Sequence, residues 1–256
     1  TKCAPVANYC TSFESDPYQV TPFCWDTYIN TTSTGYIYNY IYYAHTGSNS
    51  VRFYNAADAA GTFMLIAPAV SNLSAGTHRA SFWAEGDSTI IIGTMSNPAN
   101  PATFTIFDTL VNPTPRSWTN YKVDFSSYTG TDQYIAILWD PAANYDYLYI
   151  DDYCWEPIPS CEKAPSVTVL NPGGDSTSMN IGWNLDTTQV SYMIAYGDST
   201  FDPVTNPAGG DTVTSTTNFK TVTGLQPLTE YCFWVKAICK NGDTSFWDGP
   251  HCAKTG

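Results

Sequence analysis

Short runs in which apolar and polar positions alternate, or in which β-branched and aromatic residues cluster, recur along the whole chain. Before residue 157 they fall at 36–43, 51–54, 62–66, 78–83, 89–93, 104–107, 118–125, 133–139 and 147–153. After it they fall at 166–170, 178–183, 190–196, 218–223, 231–238 and 250–254. A period of two predicts strands with one buried face, and no long segment shows the 3.6-residue period of an amphipathic helix. Between the two groups lies Glu156-Pro157-Ile158-Pro159-Ser160-Cys161-Glu162-Lys163-Ala164-Pro165. Its prolines lack the backbone donors that a helix or a central strand needs, so it reads as a linker. The expectation is an all-β chain of two domains, 1–157 and 158–256. About nine short strands in the first suit a jelly-roll β-sandwich, and six or seven in the second suit a smaller sandwich.

Composition narrows the partners. Among 256 residues, 10 Lys+Arg face 23 Asp+Glu, a net charge of −13, and only 13% are charged while 15% are aromatic. So acidic a surface repels phosphate backbones and anionic membranes, which excludes nucleic acid as a natural partner. No uncharged apolar run reaches the ~18 residues of a membrane span, so membrane insertion is not expected. The eight cysteines, at 3, 10, 24, 154, 161, 232, 239 and 252, include no CxxC pair. An even count without metal-ligand spacing points to disulfides and to a secreted or cell-surface location. The opening Thr1-Lys2-Cys3-Ala4-Pro5 has no signal-peptide pattern, so the sequence reads as a mature protein or an excised fragment.

Two segments carry family likenesses. Gly224-Leu225-Gln226-Pro227-Leu228-Thr229-Glu230-Tyr231 has the Leu, Pro and Tyr spacing of a tyrosine corner ahead of an alternating strand. With Trp183, Tyr192, Ile194, Val235 and Ala237 it makes residues 162–256 resemble a fibronectin type III domain, an immunoglobulin-like sandwich. That topology implies Cys161–Cys239 and Cys232–Cys252, each closing one pole. In the first half Ser12-Phe13-Glu14-Ser15, Phe23-Cys24-Trp25, 45–53, 64–70, 80–84, 118–125 and 148–152 occur in the order that resembles the MAM-like, cleaved-adhesin jelly rolls of secreted Bacteroidetes proteins. The resemblance implies structural Ca²⁺ held by Glu14, with Asp16 adding an oxygen, by the turn at Asn49, and by Asp151 or Asp152 in the last strand. Hard oxygen donors and carboxylate charge suit that ion. The alternative is that these are solvated charges blunting a sheet edge. Cys3, Cys10, Cys24 and Cys154 allow three pairings. Antiparallel first and last strands favour Cys10–Cys154, while the matching Cys-Trp dipeptides at 24–25 and 154–155 favour Cys24–Cys154.

Catalytic motifs are missing: the sequence has no HExxH, GxSxG, P-loop or dinucleotide fingerprint. Nothing marks His45, His78 or His251 as a base, so no enzyme is expected. In YIYNYIYY, alternation sends Tyr36, Tyr38, Tyr40 and Tyr42 to one face and Ile37, Asn39, Ile41 and Tyr43 to the other. If the Ile face packs inward, the Tyr row lies outward and offers flat rings to a sugar or a protein. Otherwise a loop or sheet edge covers it. Tyr145, Tyr147 and Tyr149 repeat the pattern. The expected function is adhesion or recognition of a glycan or protein ligand within a larger exported protein. A carbohydrate-binding accessory module of a hydrolase and a structural spacer or filament subunit are the alternatives.

Overall fold

In the computed structural model, which describes residues 3–86, 88–111, 116–170 and 176–256, the alternating runs become strands. Among the described residues the only helical turns are single 3₁₀ turns at Leu73–Ala75 and Pro101–Thr103. The chain divides into two units, Thr1–Ile158 and Pro159–Gly256.

The first unit contains β1 (Tyr9–Thr11), β2 (Asp26–Asn30), β3 (Tyr36–Tyr40), β4 (Ser50–Tyr54), β5 (Thr62–Ile66), β6 (His78–Gly86), β7 (Thr89–Met95), β8 (Thr105–Val111), β9 (Thr119–Asp124), β10 (Tyr134–Asp140) and β11 (Tyr147–Pro157). They form two antiparallel sheets in a jelly roll. One has the order β3-β4-β11-β6-β9 with β1 also paired to β11, and the other has the order β2-β5-β10-β7-β8. Inward residues of both sheets, among them Phe53, Phe82, Leu148 and Ile150 facing Phe63, Ile90, Ile137 and Trp139, make one core. Burying each such side chain stabilises the fold by about 1.5–3 kcal/mol relative to exposure.

β11 is the longest strand and carries a bulge. Asp151 lies opposite Trp83 while Cys154 lies opposite Ser81, so β11 has one residue more than its partner over that interval. Asp152 takes the strain with φ of 48°. Before the bulge Leu148 and Ile150 point inward; after it, Tyr153 and Trp155 do. Beyond the bulge Cys10 sits directly across from Cys154 in the β1 pairing. The two are bonded with Cα atoms 4.1 Å apart, and Cys3 joins Cys24. Strand register therefore selects Cys10–Cys154 over Cys24–Cys154.

The second unit contains β12 (Thr168–Leu170), β13 (Ser178–Gly182), β14 (Gln189–Gly197), β15 (Asp211–Ser215), β16 (Phe219–Thr223), β17 (Glu230–Cys239) and β18 (Asp248–Lys254). A β12-β13-β16 sheet faces a β15-β14-β17-β18 sheet around Met179, Ile181, Trp183, Tyr192, Ile194, Phe233 and Val235. The Tyr231 hydroxyl accepts a hydrogen bond from the Gln226 amide at 3.1 Å, forming the expected corner. The disulfides are Cys161–Cys239 and Cys232–Cys252, as the resemblance implies. The Trp247 ring lies beneath the Lys236 ammonium, 5.0 Å from the ring centre.

Replacing Cys10 and Cys154 by Ala releases a loop of 144 residues, and replacing Cys3 and Cys24 one of 21. Loop-closure entropy predicts losses of about 5 and about 3 kcal/mol respectively. Urea unfolding followed by Trp fluorescence should rank the two double variants in that order.

Candidate functional site

Because Ile37 and Asn39 are buried, their neighbours Tyr36, Tyr38 and Tyr40 emerge on the outer face of the first sheet. Register extends this face across the sheet. Tyr36 lies beside Tyr54 and Tyr54 beside Tyr147. In the next row Tyr38, Arg52, Tyr149 and Glu85 follow one another across β3, β4, β11 and β6. Tyr36 and Tyr38 stack at 4.1 Å, as do Tyr54 and Tyr147 at 4.7 Å.

The Tyr row is thus neither bare nor covered. Tyr36, Tyr38 and Tyr40 are half-buried by one another and by Arg52, with Tyr18 set edge-on against Tyr38. Tyr42 is 70% exposed. Tyr43 does not point inward as alternation predicts, because β3 ends at Tyr40. Its ring instead stacks on Trp118 at 5.6 Å and meets Tyr149 at 4.8 Å.

Between these rings opens a groove of about 430 Å³ lined by Tyr43, Glu85, Gly86, Arg116, Tyr145, Asp146, Tyr147 and Tyr149. A Cβ on Gly86 would fall 2.7 Å from the Tyr147 carbonyl oxygen, so glycine lets β6 and β11 meet there. Burial pushes the Tyr149 phenol up to about 12. It therefore remains a hydroxyl that both donates and accepts across the physiological range. The groove combines aromatic walls, hydroxyls, carboxylates and a guanidinium, so it offers flat apolar faces edged by hydrogen-bonding groups.

The expected metal-binding residues collect beside this face, around the loop 43–49, in two groups. Glu14 Oε1 accepts the Ser48 and Asn49 amides at 2.9 and 2.8 Å. The Asn49 side chain reaches the Phe13 and Asp16 carbonyl oxygens, and the Asn39 amide also donates to Asp16. Asp151, fully buried, accepts the His45 and Thr46 amides at 2.8 and 3.1 Å. Two expected donors face elsewhere. The Asp16 carboxylate accepts the Phe23 amide, leaving its main-chain oxygen at the site. The bulge turns Asp152 toward His45 Nδ1, 2.7 Å away, and the Thr46 hydroxyl. Among the described residues no three His, Cys, Asp or Glu side chains form a group able to hold an ion. Any cage here draws on carbonyl and amide oxygens as well as carboxylates. His45 also stacks on Trp83 at 3.8 Å.

Arg52, Tyr54, Trp83, Glu85 and Trp118 are among the members of this surface that the sequence left unassigned. For all but Glu85, which lies past the run at 78–83, the signal was present as outward parity on recognisable strands, but strand order brings them together.

Residues 158–256 match the family model for the interferon-alpha/beta receptor fibronectin type III domain, and no curated protein matches the chain. Among solved structures, the chain is similar to the K2 cleaved adhesin domain of Lys-gingipain, a protein of Porphyromonas gingivalis. Identity there is 16%, over 59% of this chain and 99% of that one, with a TM-score of 0.49. It is also similar to the glycoside hydrolase domain of Endo-D from Streptococcus pneumoniae R6, at 12% identity over 98% of this chain and 44% of that one, TM-score 0.44. The chain thus spans less than half of that domain. The FN5 domain of Drosophila Lar matches at 22% identity over 37% of this chain and 96% of that one, TM-score 0.30. The second unit has a fibronectin type III-like fold.

Burial pushes the Asp151 carboxyl up to about 6 from 3.8, against the opposing hydrogen bonds of Thr46, Asp152 and His45 and with the charge of Asp152 adding to the rise. A carboxyl that holds its proton more tightly when folded favours folding below the unfolded pKa. That contribution is lost as pH rises through the folded pKa. In metal-free buffer the first unit should therefore lose on the order of 2–3 kcal/mol between about pH 4 and 7. An Asp151→Asn variant should lack this part of the dependence in urea midpoints measured across that range.

Proposed function

We propose that the chain is a non-catalytic recognition module of a secreted or cell-surface protein, its first unit of the MAM-like, cleaved-adhesin kind binding a glycan. The observation that supports this reading best is the aromatic outer face of β3, β4 and β11 with its groove. A sugar presents an apolar ring face edged by hydroxyls, and the paired tyrosines and groove polar groups match both features. Four disulfides fit an oxidising compartment. A glycan array should show binding to a restricted set of polysaccharides. Tyr147→Ala and Tyr36→Ala should each weaken it roughly three- to tenfold in calorimetry. Absence of glycan binding together with self-association in light scattering would favour the spacer or filament reading.

Structural Ca²⁺ is the second part of the proposal. Asp151 is a fully buried carboxylate beside a second carboxylate, and Asn39 Oδ1 is a buried acceptor with no hydrogen-bond partner. These are acceptor-rich surroundings that a hard cation satisfies. Glu14, Asp151, the Asp16 carbonyl and the oxygens of Asn39 and Asn49 would hold it. The ion would supply positive charge that fixes loop 43–49 to the β11 bulge. EDTA should lower the melting temperature of calcium-loaded protein by about 5–10 °C when the ion was at a hundred times its Kd. A melt that EDTA leaves unchanged removes calcium from the proposal.

A further inference from the structure

Arg52 stands at the centre of the aromatic face without an acid. Its guanidinium carbon lies 4.2 Å from the ring centre of Tyr147 and 4.5 Å from that of Tyr40. Tyr36, Tyr54 and Tyr149 complete the box at 5.5, 5.8 and 6.0 Å. Its Nε is buried with no hydrogen-bond partner. No carboxylate pairs with it among the described residues.

That is unexpected in a chain where acids outnumber Lys and Arg by 23 to 10. Arg79, on β6 of the same sheet, follows the expected pattern and bonds Glu156 at 2.8 Å. In the row that contains Arg52, Tyr149 stands between it and Glu85. Stacking over tyrosines offsets part of the desolvation of a guanidinium, but the rings supply no acceptor for its N–H groups. A half-buried cation with donors left over is complementary to an anion from outside. Tyr147 and Tyr149 are both faces of this box and walls of the groove, whose lining also holds Arg116, Glu85 and Asp146, so the guanidinium of Arg52 stands behind the rings that a ligand in the groove would meet. The overall charge of −13 repels loosely held polyanions, so an anion is selected here by positioned cations, Arg52 behind the tyrosines and Arg116 in the groove lining.

We infer that the glycan recognised by this face is acidic, a sugar chain whose carboxylate or sulfate group meets Arg52 while neighbouring rings stack on the tyrosines. This rests on the glycan-binding reading above and adds the substrate class to it.

The test uses the whole chain and pairs of short oligosaccharides that differ only in charge. One pair is an oligogalacturonide and its methyl ester; the other is a sulfated chondroitin oligosaccharide and its desulfated form. Calorimetry should show at least one acidic member binding about tenfold or more tighter than its neutral counterpart, the scale of one charge-assisted hydrogen bond. The pair that responds distinguishes carboxylate from sulfate. Arg52→Met, which keeps an apolar filling in the box, should reduce the preference to within about twofold, while Arg52→Lys should keep part of it. Circular dichroism melts of both variants establish that they fold. If Arg52→Met does not fold, the charge preference of the unaltered chain and the Lys variant decide the matter. Equal binding of charged and neutral members, or a preference that survives in folded Arg52→Met, overturns the acidic-ligand inference and leaves glycan recognition standing. If neither these probes nor any neutral polysaccharide binds, the glycan reading fails and this inference fails with it.

Discussion

One extra residue in β11 governs how the first unit presents itself. Strict alternation from Leu148 and Ile150 would send Tyr153 and Trp155 outward and turn Cys154 into the core. The bulge at Asp151 and Asp152 reverses that parity. Two large rings enter the core, Cys154 becomes available to Cys10, and two adjacent carboxylates face loop 43–49. The outer face is thereby divided. Its upper part is tyrosine, ordered by uninterrupted register, and its lower part is a polar seat for a loop.

The two parts share that loop. Its first residues supply Tyr43, which joins Trp118 and Tyr149 on the aromatic side. The next supply the amides that bind Asp151 and Glu14. The Ser50 hydroxyl fixes the Tyr43 carbonyl at 2.6 Å where the loop rejoins β4. Whatever neutralises the carboxylates therefore also sets the position of a groove wall, which couples the proposed ion to the proposed ligand through one short segment.

Much of this was legible in the sequence because alternation is a strong signal for half-buried strands. The run at 62–66 matches β5 residue for residue, and those at 51–54, 147–153 and 190–196 lie within β4, β11 and β14. Three strands gave no alternating run: β1, which entered only through the Cys10–Cys154 pairing, β2 and β15, reading YCT, DTYIN and DTVTS. They are short and half-exposed, with little apolar content to betray a period. Alternation also failed at Tyr43, because a period of two holds only while the strand continues. The residues expected to hold calcium were named through family likeness, but the side-chain directions of Asp16 and Asp152 were not foreseen, since both follow from turn and bulge geometry. Arg52 lay in a recognised strand, and its isolation from acids emerges only when β3, β4 and β11 are placed side by side.

The bond between Cys10 and Cys154 has a mechanical consequence. β1 and β11 run antiparallel at that point, near opposite ends of the first unit's sequence. Tension travelling along the polypeptide enters at residue 10, crosses the sulfur bridge and leaves at residue 154. The strands between them, including every ring of the aromatic face from Tyr36 to Tyr149, lie in a closed loop outside the line of force. Load along the backbone thus bypasses the strands that carry those rings, and a ligand held there as proposed would leave them outside the line of force.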